Sequence, residues 1–312
     1  MVQERKLDLM SAEVVTLFYV CVTTIMILCY WNGLTDPVGM LMLRLGIVAV
    51  MVFTYFTSKK MPKKLAMAWR SFPPLLMLIW WYPENYDFCS QLPYKDHIFA
   101  GLDQLLFGCQ PALEFDKAVP DVFWSEAFNM GYYLYYYMMM SVIVFYLLFR
   151  MREYDKTLFI FLGSFFLFYF IYQFLPVAGP QYYFCALANI YGPDGWTGFP
   201  DLGYYFKDHT EMLSIDIKGI FSQLVIGAQE IGERPTAAFP SSHVGMSTVT
   251  MLLAWRTGNK WLFWVMFPFY LLLCCGTVYI KAHYLIDSIA GFFFAVLFYY
   301  ITNRLYPIVM KR

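Results

Sequence analysis

Two stretches of this chain hold residue types that can do chemistry on phosphate. In the first, Arg234 stands seven residues before Ser241, and Ser241, Ser242 and His243 open an apolar run from Val244 to Trp255. The two serines fall at the expected N-cap and first turn of a helix, where free backbone N–H groups and the positive helix end favour an anion. Arg234 adds a permanent, forked cation. In the second stretch, Lys281, His283 and Asp287 lie near the C-terminus, and the i, i+4 spacing puts His283 and Asp287 on one helix face. That is an imidazole with a carboxylate to orient it. An oriented neutral imidazole attacks phosphorus while a second, protonated imidazole donates to the leaving oxygen. His283, His243 and Asp287 suit those catalytic roles, with Arg234, Lys281, Ser241 and Ser242 holding the phosphate oxygens.

Each histidine alone reads as a capped or hydrated side chain at a helix end; the combination with Arg234, the two serines and Asp287 reverses that reading. A metal site built from His243, His283 and Asp287 is chemically acceptable, but the nearby cations favour an anion, so neither metal nor cofactor is expected. A serine hydrolase using Ser241 or Ser242 lacks a Gly-x-Ser-x-Gly elbow.

The elements that must position these groups are membrane helices. The 312 residues are 60% hydrophobic and only 14% charged, with a mean hydropathy of +0.52, which excludes an ordinary soluble domain. Runs long enough to cross about 30 Å of hydrocarbon occur at 14–31, 38–57, 65–82, 128–148, 157–175, 237–255, 261–279 and 284–300. The expected fold class is an all-α polytopic membrane bundle of about eight transmembrane helices. In the third span Pro73 and Pro74 should kink or break the helix, and Arg70 would have to snorkel. Arg44 is either a snorkelling side chain or half of an internal ion pair. Net charge is zero, so nothing points to nucleic acid; the signs are instead segregated. Arg5, Lys6, Lys59, Lys60, Lys63, Lys64, Arg150, Arg152, Lys156, Arg256, Lys260, Arg304, Lys311 and Arg312 occupy every second loop, which puts those loops and both termini in the cytoplasm. The alternate loops carry acids such as Glu84, Asp96, Asp103, Glu230 and Glu233, and face out. Glu230 and Glu233 read as solvated loop charges, or alternatively as groups that hold hydroxyls of an inositol-like ring. Ile98, Leu102, Leu105 and Leu106 predict one interfacial helix, and Leu213, Ile217, Ile220, Phe221 and Leu224 another. Cys89, Cys109 and Cys185 fall in outer loops, leaving a single disulfide of undetermined pairing open.

Arg234-Pro235, Pro240-Ser241-Ser242-His243 and His283-Tyr284-Leu285-Ile286-Asp287 resemble the three signature motifs of the type 2 phosphatidic acid phosphatase superfamily, metal-independent membrane phosphatases and phosphotransferases. The resemblance covers roughly the last six helices. It implies a six-helix catalytic core at residues 65–312, with residues 1–64 supplying two additional helices. It also implies that His283 forms the phosphoenzyme, Asp287 orients it, His243 protonates the leaving group, and the arginine and serine positions bind phosphate. Two positions depart from the pattern: Gly227 replaces the usual lysine of the first motif, and Gly276-Thr277 replaces the usual Ser-Arg of the third. Lys281 could supply one of the missing cations. The Ala-Ala-Phe-Pro-Ser-Ser-His run, Pro176-Val177-Ala178-Gly179-Pro180 and Leu105-Leu106-Phe107-Gly108 are similar to the inositol phosphorylceramide synthase branch. There a phospho-head-group moves from a phospholipid donor to a lipid hydroxyl acceptor. Two other readings remain: a lipid phosphate phosphatase with water as acceptor, and a non-enzymatic lipid head-group binder or transporter.

Overall fold

Apolar runs punctuated by capping residues make this chain helical from end to end. The computed structural model describes residues 9–192, 195–213 and 217–310, and holds thirteen α-helices and no strand among them. The first three are α1 (Ser11–Cys29), α2 (Pro37–Ser58) and α3 (Lys63–Cys89). Four shorter ones follow: α4 (Asp96–Phe107), α5 (Pro111–Ala118), α6 (Val122–Tyr133) and α7 (Tyr135–Phe149). Next come α8 (Met151–Phe174), α9 (Pro180–Tyr191) and α10 (Ile220–Gly232). The last three are α11 (Ser242–Arg256), α12 (Lys260–Tyr279) and α13 (Leu285–Met310). Local chemistry sets the boundaries. Asp36 caps α2 by accepting from Gly39 N at 2.9 Å, with Pro37 in the first turn. Asn259 caps α12 through Trp261 N and Leu262 N, and Gly108 ends α4 in the left-handed region.

Five helices among the described residues, α1, α2, α8, α12 and α13, are long and apolar enough to cross a membrane, and α6 with α7, bent by 44°, passes the same test as a pair, with the shape of a broken span or a re-entrant loop. The protein is therefore a multi-pass membrane bundle. Two of the eight expected spans fall short of that standard for different reasons. Helix α3 has the length, and Pro73, Pro74 and Pro83 do not break it, but it carries Arg70, Glu84 and Asp87. Helix α11 has 15 residues, about 22 Å of rise, because residues 237–241 are not helical. That irregular backbone is buried in protein, the one setting in which it is tolerated at membrane depth.

Several acids and cations expected in water or at head groups are instead sealed between helices. Arg44 on α2 makes a bidentate pair with Glu84 on α3, both N–O distances 2.8 Å. Arg70 does not snorkel; it is 2% exposed and paired with Glu13 of α1. Asp155 accepts from Ser11 N at 2.9 Å, so the start of α1 is fixed to α8. These bonds tie α1 and α2 to the rest of the bundle through α3 and α8. The second expected interfacial helix is also shorter than its pattern: α10 begins at Ile220, after Gly219, and Leu213 bonds instead to Gln181 O.

Basic residues gather at one end. Lys64 reaches Leu148 O, Arg150 reaches Thr257 O, and Arg256 pairs with Glu153 at 3.2 Å. The starts of α11 and α13 lie at the other ends of their helices. Arg5, Lys6, Lys311 and Arg312 lie outside the described residues. Cys89, Cys109 and Cys185 are all free thiols.

Removing one partner of a buried ion pair strands the other charge. Glu84→Ala should therefore cost about 3–5 kcal/mol, seen as a lower unfolding midpoint in detergent. The double variant Arg44→Leu/Glu84→Leu should recover most of that loss. Equal midpoints for Glu84→Ala and the parent protein would show that the pair does not fasten α2.

Candidate active site

The two histidines, distant in sequence, face each other: His243 Nδ1 lies 3.3 Å from His283 Nε2. His243 sits in the first turn of α11, and its ring stacks on Tyr132 at 4.5 Å between centroids, with Tyr135 at 4.8 Å. His283 lies in the short link between α12 and α13. Its backbone N–H bonds Thr277 O, and its ring Nδ1 lies 2.8 Å from the carbonyl of Ala238. A carbonyl only accepts, so Nδ1 carries the proton and Nε2 keeps its lone pair, directed at His243. Burial holds the His283 pKa down at about 4, against the opposing pull of the Ala238 bond. The imidazole is therefore neutral at and well below neutral pH.

Asp287 does not make the orienting bond expected of it. Its Oδ2 is 3.9 Å from His283 Nδ1, beyond hydrogen-bond reach, and accepts instead from Tyr284 N at 2.9 Å. This is the carboxylate half of a capping box at the start of α13. Its backbone carbonyl accepts from Ser241 N at 3.0 Å, joining the starts of α13 and α11. Gly291 makes that junction close: a Cβ there would stand 2.4 Å from Ser241 O.

Ser241 is the N-cap of α11, its Oγ accepting from Val244 N at 3.3 Å. Gly245 N bonds Ser241 O; Ser242 bonds the Tyr172 hydroxyl through both its backbone N–H and its side chain, while the N–H of His243 makes no hydrogen bond among the described residues. An open first-turn donor at the positive end of a helix beside His283 suits an anion. Ser242 is nearly buried, its carbonyl accepting from Tyr135 at 3.4 Å. Arg234 donates to Glu233 O at 2.7 Å and has no ion pair among the described residues. Lys281, by contrast, is paired with Asp116. The two departures from the motif pattern also differ. A Cβ on Gly276 would stand 2.6 Å from Phe128 O, so the α6–α12 approach requires glycine there, whereas Gly227 has open space around it. No group of three or more His, Cys, Asp or Glu among the described residues could hold a metal ion.

Two aspartates expected on outward-facing loops are instead buried beside the histidine pair. Asp103, fully buried, accepts from Leu285 N at 2.9 Å and Ile286 N at 3.0 Å. It thereby fills the helix start of α13, so the open anion position is at α11. Asp96 accepts from Ala178 N, Gly179 N and the Tyr284 hydroxyl. A signal for them existed. Asp96 and Asp103 are seven apart and share the α4 face that buries Phe99 and Ala100, opposite the exposed Ile98 and Leu105. An acidic stripe on an interfacial helix faces protein when the other face is apolar.

Residues 99–301 match the family model of the PAP2 superfamily. The match spans well over half of the 312 residues, and the chain belongs to that superfamily. Its members are helical membrane proteins and generally enzymes of the phosphatase or phosphotransferase type. No curated protein and no solved structure matches the chain.

Two outcomes are expected. Asp103→Ala frees two amides at the start of α13 and loosens the link that carries His283. It should lower kcat by about ten- to a hundredfold with little change in KM, Asp103→Asn recovering part of the loss; steady-state kinetics with melting curves for all three proteins decides this. Separately, kcat/KM reports the free enzyme. Protonation removes the His283 lone pair, so the acid-side fall set by His283 should come near pH 4, not near the ordinary histidine value; a pH profile in which activity is independent of His283 ionisation contradicts the assignment.

Proposed function

We propose that this protein is an integral-membrane lipid phosphotransferase, similar to inositol phosphorylceramide synthases, that moves a phospho-head-group through a covalent adduct on His283. The observation that carries this reading is the pairing of His283 Nε2, its lone pair freed by the Ala238 carbonyl, with His243 at 3.3 Å. The substrate phosphate would lie against Arg234, the His243 N–H group and the serines at the start of α11. With the anionic phosphate seated beside it, His243 takes up a proton from solvent; the Nε2 lone pair then attacks phosphorus, the P–O bond to the donor's lipid alcohol breaks, and His243 gives that proton to the departing oxygen. His243, neutral again, takes the proton of the acceptor hydroxyl. That oxygen attacks phosphorus, the N–P bond breaks, and its electron pair returns to Nε2.

Charge favours a diester over a monoester. A phosphate monoester dianion asks for several cations, whereas here Gly227 and Gly276-Thr277 stand at cationic motif positions and Lys281 is engaged by Asp116. Arg234 is the cation at the site without an ion pair among the described residues, a closer match to a monoanionic diester. A phospholipid donor and a lipid hydroxyl acceptor follow from that reading, with water as acceptor in the phosphatase alternative. The segregated basic loops support both termini in the cytoplasm and the site on the outer, periplasmic, extracellular or lumenal face.

Purified protein in detergent with excess chelator, given mixed anionic phospholipids and hydroxyl-bearing lipids, should form a new lipid phosphodiester detected by phosphorus NMR. His283→Ala and His243→Ala should each abolish it with the melting curve preserved, and the chelator should have no effect. Free inorganic phosphate as the product would establish the phosphatase instead. Undiminished turnover in His283→Ala would end the covalent reading.

A further inference from the structure

Between α12 and α13 the bundle leaves an apolar groove of about 540 Å³. Both helices are long and apolar enough to cross a membrane. Val278 and Leu285 line the end nearest the histidines, Tyr270 and Phe292 the far end, and Ile289 lies between them. From Val278 to Tyr270 the helix covers about 12 Å, most of the roughly 15 Å of hydrocarbon in one leaflet. Chain order fixes where the groove begins: Val244, also in its lining, follows His243 directly, and Leu285 lies two residues past His283. The groove thus starts at the histidine pair and runs away from it between two membrane helices. Helix α5 covers the near end with Pro111, Phe115 and Ala118. It is held there by the pairing of Asp116 with Lys281 and by Val119 O, which accepts from the Tyr279 hydroxyl at 3.0 Å. Along its length the groove opens sideways, where Cys275, Ile289 and Phe292 are exposed.

We propose that this groove holds the hydrocarbon end of the lipid whose phosphate lies at His283, and that the lipid reaches the site sideways out of the bilayer between α12 and α13. The inference rests on the phosphotransferase reading above. The lining selects the occupant. Among the described residues its oxygen-bearing side chains are Glu114, Tyr270 and Ser288, and each is already paired. Glu114 accepts from Lys117 at 2.9 Å, the Tyr270 hydroxyl lies 2.9 Å from that of Thr248, and Ser288 Oγ lies 3.0 Å from Thr277 Oγ1. A polar ligand would give up its water there without gaining a partner. Hydrocarbon has no such loss. Lipid tails are as apolar as the groove, so moving a chain from the bilayer into it is close to neutral in free energy; what the groove supplies is direction. A chain laid along it from Phe292 to Val278 delivers its phosphate end to His243 and His283, the fixed approach on which proximity catalysis depends.

The test uses the full-length His283→Gln protein, in which no turnover intrudes, in phosphatidylcholine vesicles. Two photoactivatable probes carry the same diazirine midway along one chain: a phosphatidylinositol, and a diacylglycerol that lacks the phosphate. After irradiation, mass spectrometry maps the label. The phosphatidylinositol probe should mark residues 270–278 and 285–292 at least about tenfold more than the diacylglycerol. Ile289→Trp or Cys275→Trp, each filling the groove from its lipid-facing side, should reduce that label to the diacylglycerol level, whereas Phe293→Trp, exposed on α13 outside the groove, should not. The comparison in the unfilled protein stands by itself if a tryptophan variant fails to fold. Enrichment on another helix overturns the groove and leaves the phosphate site standing. Enrichment at the groove that survives both filling substitutions, with melting curves preserved, overturns it as well. Equal labelling by the two probes at every helix overturns the phosphate site and the groove together.

Discussion

The site depends on a buried carboxylate that cannot be left unsatisfied. Asp96 is sealed from water, and burial pushes its pKa up to about 6 even though three donors converge on it. Those donors come from two segments: the turn before α9 supplies Ala178 N and Gly179 N, and the link before α13 supplies the Tyr284 hydroxyl. Once the turn is fixed, Val177 O accepts from Ala238 N at 3.0 Å, and the Ala238 carbonyl, thereby aimed, accepts from His283. A chain of hydrogen bonds thus runs from an interfacial helix to His283. Each link satisfies a group whose desolvation would otherwise be costly, which is why the tautomer of His283 is a property of the fold.

The same logic distributes the anion site. Two helices start at the histidine pair, and each brings unsatisfied N–H groups. At α13 they are taken by Asp103 and Asp287; at α11 the N–H of His243 remains open among the described residues. Carboxylates thus occupy the start of α13, and Arg234, without an ion pair among the described residues, precedes the segment that leads into α11. Irregular backbone at 237–241 and 281–284 is the structural means: Ala237 and Lys281 adopt left-handed φ of 65° and 64° without being glycine, strain held by the surrounding bonds.

Much of this was legible in the sequence, and what was not has a common cause. Helical class, the capped start at Ser241 and the meeting of two short motifs could be inferred because local patterns encode them. The burial of Glu84 and Arg70 could not, since a charged residue in a membrane protein reads as loop or snorkel until its partner is known. Glu84 lies 40 residues from Arg44, and Arg70 lies 57 from Glu13; pairing over such distances is a tertiary fact. The hydrogen-bond partner of Asp287 was hidden for the opposite reason. Its i, i+4 spacing to His283 is real, but the backbone amide of Tyr284, three residues before it, competes for the same oxygen and lies nearer. The ring Nδ1 of His283 bonds the Ala238 carbonyl instead.

The account turns on His283 Nε2 as the atom that carries the transferred group. Its most direct test is to quench the protein in alkali during turnover of a phospholipid donor labelled in the head-group phosphate, digest it, and sequence the labelled peptide by mass spectrometry. The expected result is an acid-labile adduct on His283 that disappears when acceptor is added before the quench. Turnover with the label absent from His283, or an adduct on Ser241, Ser242 or His243 in its place, would contradict it.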